Sequence, residues 1–139
     1  MGLVYAEITL INGEDLILAK RHIIGEEEIK QMGVTMLVDS GAYNMAINET
    51  IKEQLNLEVK ERRKAQMANG SIEEYDIVGP IEVKFENRRC SVDAFVLPAN
   101  MEPLLGAIPM EALDVLIHPR KNELIVNPEH PYFAQMKMK

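Results

Sequence analysis

The chain has 139 residues, 47% of them hydrophobic and 27% charged, which suits one domain with an ordinary core and excludes disordered or fibrous classes. A net charge of −7 and a pI of about 5.0 leave no basic face for nucleic acid or an anionic membrane. The single cysteine, Cys90, rules out an internal disulfide and fits a reducing, cytoplasmic setting.

The opening stretch, "MGLVYAEITL", has no basic start and no small-residue cleavage site, so no secretory signal is expected. No apolar run approaches the length of a membrane span. The tripeptides at 48–50 and 69–71 that match the glycosylation pattern are then chance matches. Residues 3–11 alternate, with Val4, Ala6, Ile8 and Leu10 on one face of a strand. Asn12-Gly13 offers a tight turn, and "DLILAKR" is expected to return as the second arm of a hairpin. The charge run "GEEEIK" reads as an exposed loop, and "GVTMLV" as a strand ending at Asp39.

Asn48 is a good N-cap for a short helix over "NETIKEQLN", with Ile51 and Leu55 one turn apart. "LEVKERRKAQM" is extended and charged, a solvated strand edge that "ANGS" turns back. "IEEYDIVGPIEVKFE" returns as a long strand broken near Gly79-Pro80, and "RRCSVDAFVL" pairs with it after a turn at Asn87. Pro109 is placed to open a short helix carrying Met110 and Leu113 inward. "VLIHP" and "NELIVNP" form two short strands about a turn near Lys121-Asn122, and the tail either frays or docks on a partner. About eight strands with one or two short helices predict a mostly-β barrel or sandwich.

The informative feature is "LVDSGAYNMAI", Leu37 to Ile47, which places one acid, Asp39, in a long apolar and small-residue run. Asp39 ends an apolar strand, so its carboxylate is expected to be partly desolvated, with a raised pKa. Ser40 adds a hydroxyl for local hydrogen bonds, and Gly41 removes the Cβ so that another backbone can approach. The tripeptide also occurs in ordinary turns.

In its context, this stretch resembles the active-site loop of the retroviral-type aspartic proteases, an apolar strand followed by Asp-Thr/Ser-Gly-Ala. Further on, "PLLGAIPMEAL" resembles that family's apolar-apolar-Gly and short helix, and "VLIHPRKNELIV" its closing strand pair. Between them, "MANGSIEEYDIVGPIEVKF" stands where the family has its flap hairpin. The likeness covers about residues 33–127 of a domain taken as 1–139, and is nearest to small single-domain cellular and prokaryotic members.

The resemblance implies a closed β-barrel of the retropepsin-like type and an aspartic endopeptidase acting on peptide or unfolded protein. It needs no cofactor or metal. Its mechanism uses two carboxylates sharing one proton, and this chain has one Asp-Ser/Thr-Gly, so it implies a homodimer with Asp39 from each subunit. In that likeness Ser40, Gly41 and Ala42 form the active-site loop, with Ser40 bonding across the two-fold and Gly41 lining the cleft, and Leu105 and Gly106 support the loop. Met67, Ala68, Asn69, Gly70, Ser71 and Ile72 then form the flap. Many viral members carry an acid after Asp-Thr/Ser-Gly-Ala and an Arg after the second-motif Gly, which pair. Here those positions are Tyr43 and Ala107, so both partners are missing together. The acids Glu73, Glu74 and Asp76 in the flap point toward basic or polar substrates.

The alternatives are a protease-like dimerisation or peptide-binding module without activity, a β-barrel interaction module in which residues 39–41 only turn the chain, and a small-ligand barrel. His22, His118 and His130 are scattered, lack metal-ligand spacing and give Cys90 no partner signature, and His118 and His130, each beside a proline, read as surface residues. Ser40 is not in a Gly-x-Ser-x-Gly setting, and no glycine-rich loop cradles phosphate. The nine methionines read as core filler.

Overall fold

The computed structural model describes residues 2–136. In chain order the elements are β1 (Val4–Asn12), α1 (Gly13–Lys20), a 3-10 turn (Glu26–Glu28), β2 (Gln31–Val38), β3 (Met45–Asn48), α2 (Glu49–Gln54), β4 (Val59–Gln66), β5 (Ile72–Phe85), β6 (Arg88–Leu97), β7 (Leu104–Leu105), α3 (Ala107–Leu113), β8 (Val115–His118) and β9 (Glu123–Val126). The protein is mostly β, and the described residues hold three short α-helices where one or two were expected.

Alternation builds the core. β1 buries Val4, Ala6, Ile8 and Leu10, and its antiparallel partner β2 buries Val34, Met36 and Val38. The main sheet runs β1-β2-β7-β3-β6-β5-β4, and β5 also pairs back onto β1 through Thr9–Asn12 and Ile81–Lys84. Six strands are thus linked in a ring, with β4 outside it as the edge. A continuous barrel ladder is not what joins them. β7 has two residues and meets β3 at one registered pair, Ala46 opposite Leu104. The interior is filled by aliphatic side chains and methionine; Ile8, Leu10, Met36, Ile47, Leu105 and Leu113 are all fully buried.

The hairpin expected at Asn12-Gly13 is a helix instead. Asn12 caps α1, its Oδ1 accepting from the Asp15 amide at 3.1 Å, and its side-chain Nδ2 donates to the Leu55 carbonyl at 2.8 Å. The strand returning on β1 is therefore β2. The other expected elements are present, including α2 behind its Asn48 cap and the break in β5, a register shift between Val78 and Ile81.

The tail packs on its own chain. The Gln135 amide donates to Asp114 at 3.0 Å, Asn87 donates to the Pro131 carbonyl at 2.9 Å, and the buried Arg88 donates to the His130 carbonyl. The last three residues lie outside those described. His130 is not a free surface residue either, because its Nδ1 meets Asp114 Oδ2 at 2.6 Å. His118 is half-buried, its Nδ1 accepting from the Arg120 and Lys121 amides, while His22 is exposed.

Candidate active site

The loop carrying Asp39 is held by backbone. β2 runs parallel to β7, with Leu37 opposite Leu104 and Val38 opposite Leu105, and the Asp39 amide donates to the Leu105 carbonyl at 3.0 Å. The chain then turns sharply. The Ala42 amide donates to the Asp39 carbonyl at 3.1 Å, and the Gly41 amide to Asp39 Oδ1 at 2.9 Å. On the far side, the first amides of α3 reach back, Ala107 to the Ala42 carbonyl at 2.7 Å and Ile108 to the Tyr43 carbonyl at 2.8 Å. Gly106 makes this approach possible, since a Cβ there would run into the Asn44 carbonyl and lie 2.8 Å from that of Ala42. The apolar-apolar-Gly segment thus braces the Asp-Ser-Gly loop from behind, with Leu105 fully buried.

Asp39 itself is exposed in the single chain, contrary to the expectation of a buried acid. Burial on β2 ends at Val38, and the turn carries the carboxylate out to the mouth of a cleft of about 600 Å³. Gly41, Ala42, Tyr43, Met45 and Ala46 line the same cleft on the loop side. Leu104, Phe95 and Leu97 line it from β7 and β6. Opposite, the β4–β5 hairpin contributes Ala65, Gln66, Met67, Ala68 and Tyr75. Asp39 is the one acidic side chain of an otherwise apolar and neutral lining.

The predicted site residues are therefore divided by the structure. Asp39, Gly41, Ala42, Met67 and Ala68 meet in the cleft, and Leu105 and Gly106 stand behind it. Ser40 is exposed and lines the two neighbouring grooves instead. Asn69, Gly70, Ser71 and Ile72 are exposed at the hairpin tip and outside the cleft lining; there Gly70 takes φ +88° and the Ser71 amide donates to Asn69 Oδ1 at 2.9 Å. The acids of the hairpin do not shape the cleft. Glu73 accepts from the Tyr75 hydroxyl at 2.7 Å and Asp76 pairs with Arg62 at 3.3 Å. That removes the basis for expecting basic substrates.

Tyr75 and Phe95 were not legible as site residues. Their rings meet edge to face at 6.1 Å between centroids, joining the hairpin to β6 over the cleft. The Glu73 carboxylate that Tyr75 bonds raises the phenol's pKa. A lone aromatic within an acidic strand is the one signal that could have drawn attention to Tyr75. Cys90 is half-buried on β6, and burial, with the Glu82 charge adding, pushes its thiol up to about 11, the opposite of an activated nucleophile. Among the described residues, no group of three His, Cys, Asp or Glu side chains could hold a metal ion.

Comparison with known proteins bears on the same segment. Residues 26–111, more than half of the chain, match the profile of a family described as "gag-polyprotein putative aspartyl protease". No curated protein matches the chain by sequence. Among solved structures, the retroviral protease-like domain of Ddi1 from Leishmania major is similar with a TM-score of 0.56 at 18% identity, covering 92% of this chain and 90% of that one. At that identity the likeness is one of fold. With its Asp-Ser-Gly loop, bracing glycine and retropepsin-like fold, the chain belongs to the retroviral-type aspartyl protease family.

Proposed function

We propose that the chain is an aspartic endopeptidase that works as a homodimer, each subunit supplying one Asp39 to a shared dyad. The observation that carries this reading is the placement of Asp39. It is exposed at the mouth of an apolar cleft beneath a hairpin, on a loop whose backbone is fixed by Leu105, Ala107 and Ile108. One carboxylate cannot both activate water and polarise a carbonyl, and the sequence has a single Asp-Ser/Thr-Gly. Two Asp39 carboxyls about 3 Å apart would share a proton, because both ionise together only at high cost. The ionised member takes a proton from water as it attacks the scissile carbonyl, and the protonated member donates to the carbonyl oxygen. The proton taken from water then passes to the leaving nitrogen as the C–N bond breaks, and the gem-diol hydroxyl returns the other proton to the second carboxylate as the carbonyl re-forms. An extended peptide fits between the loop and the hairpin, and the apolar lining suits apolar side chains beside the scissile bond.

Asp39→Asn is the direct test. It keeps the loop's shape and one hydrogen-bond acceptor while removing the titratable group. Hydrolysis of an unfolded protein at mildly acidic pH is expected to fall by about 10²–10⁴-fold with the dimer retained. Undiminished cleavage by this variant would remove Asp39 from the chemistry.

A second reading, a protease-like dimerisation or peptide-binding module without turnover, draws support from Tyr43 and Ala107, where many relatives carry an ion pair. It predicts that wild-type dimer binds unfolded peptide and cleaves none between pH 3 and 7.

A further inference from the structure

Two strands at the root of the hairpin each carry an extra residue, and both extras fall beside Val78. On β4, Lys60 stands between Val59, opposite Val78, and Glu61, opposite Ile77. On β5, Gly79 and Pro80 together face the single residue Asp93 of β6, between the pairs Val78–Ala94 and Ile81–Val92. An extra residue bends its strand and increases the local twist, so it re-aims whatever the strand carries next. Here that is the β4–β5 hairpin, whose Ala65, Met67 and Tyr75 line the cleft of Asp39.

The two irregularities are tied to each other. The Lys60 ammonium reaches across β5 and donates to Asp93 Oδ2 at 2.9 Å. Gly79 lies against the same carboxylate, at φ +153°, and a Cβ there would run into Asp93 Oδ1. The missing side chain leaves the space that the carboxylate fills. Arg63, the other cation of that groove, is engaged by Glu61 and does not compete. Side chains alternate along β6, so Asp93, Phe95 and Leu97 share a face. Phe95 meets Tyr75 of the hairpin, and Leu97 lines the cleft. We propose that the Lys60–Asp93 pair is a brace that aims the hairpin over the cleft, which makes Lys60 and Asp93 positioning residues for substrate binding. The effect on substrate rests on the peptidase reading, and the effect on the hairpin rests on geometry alone. Neither side chain lines the cleft, so both act through the strands that they join. The two are partly exposed, 47% and 39%, so the pair shifts an equilibrium by about two- to fivefold and not by orders of magnitude.

The test is amide hydrogen exchange on the full chain, followed by NMR, with KM and kcat for an unfolded peptide measured in parallel. Asp93→Asn keeps the side chain's shape and removes its charge. It is expected to speed exchange over residues 61–77 about two- to fivefold, with β1 and β2 as in wild type. KM should rise by a similar factor with kcat unchanged. Lys60→Glu combined with Asp93→Lys should recover both, and salt at about 1 M should bring wild type toward the variant. Unchanged hairpin exchange in Asp93→Asn, equal acceleration in β1 and β2, or no recovery by the reversed pair each overturn the proposal. A wild-type chain that cleaves nothing rejects the peptidase reading and leaves hairpin exchange to decide the brace. Cleavage by Asp93→Asn with an unmoved KM overturns the brace and leaves the peptidase standing.

Discussion

Of the two glycines at the site, Gly106 has the tighter surroundings. Three backbone atoms of the Asp39 loop lie where its Cβ would be, and backbone cannot rotate away as a side chain can. Gly106→Ala is therefore expected to cost about 1–3 kcal/mol in urea unfolding and to displace Asp39, lowering activity more than stability. An alanine variant with unchanged unfolding and activity would show that the loop yields without consequence. The legible part of the site was the part written in local sequence. Asp39, Gly41 and Gly106 stand out because an acid among apolar residues, or a glycine after them, needs a local reason. Tyr75 and Phe95 did not stand out, since the pairing of their two strands was legible but its register, shifted between Val78 and Ile81, was not. The exposure of Asp39 was missed for a related reason. An apolar run predicts burial of its members, whereas the turn at its end is fixed by a distant carbonyl, that of Leu105.

Among the elements, α1 shows where pattern fails. Its sequence, "GEDLILAK", has three adjacent large aliphatics and no buried residue, so neither a two-fold nor a 3.6-fold period distinguishes strand from helix. Asn12 settles it, as a cap anchored to Leu55 and Asn56 far along the chain. The neighbouring strands, with strict alternation, were legible throughout. α3 is informative at both ends. Its N-terminal amides hold the Asp39 loop, and beyond its last turn Asp114, at φ +56°, gathers the tail. The Gln135 amide contributes most, with the Asn127 and His130 side chains, to lowering the Asp114 pKa from 3.8 to about 2 despite partial burial. Because the folded carboxyl has the lower pKa, its contribution is complete above about pH 4 and is lost as pH falls through about 2. The Gln135 amide resonance is accordingly expected to hold steady from pH 7 to 4 and to titrate with a midpoint of about 2, a transition absent in Asp114→Asn. A midpoint near 4 would mean that the tail does not engage Asp114 in solution. The latch thus survives the acid range in which an aspartic dyad operates.

For the molecule as a whole, the shared-dyad reading leaves half a site on each chain and so predicts that activity is a second-order property. Below the dimer dissociation constant, each tenfold dilution is expected to lower the rate about 100-fold, and above it about tenfold. Initial rates over a thousandfold dilution series distinguish this from a monomeric enzyme, whose rate is proportional to chain concentration throughout.

The two register breaks have a mechanical meaning. β4 shifts between Val59 and Glu61, opposite Val78, and β5 shifts against β6 between Val78 and Ile81. Both interruptions fall at one level, beyond which β5 keeps two registered pairs with β6, Val78 opposite Ala94 and Ile77 opposite Phe95, before the β4–β5 hairpin leaves the ring. Above that level the hairpin is an unbroken ladder from Glu61–Ile77 to Gln66–Ile72, and below it β5 is pinned between β1 and β6. Bending is therefore expected to gather along the crease where pairing with β6 ends, and a hairpin that moves there as a stiff board has a tip that travels farthest. A residue at the crease sets the angle of approach to the cleft, and a residue at the tip sets only what is touched on arrival.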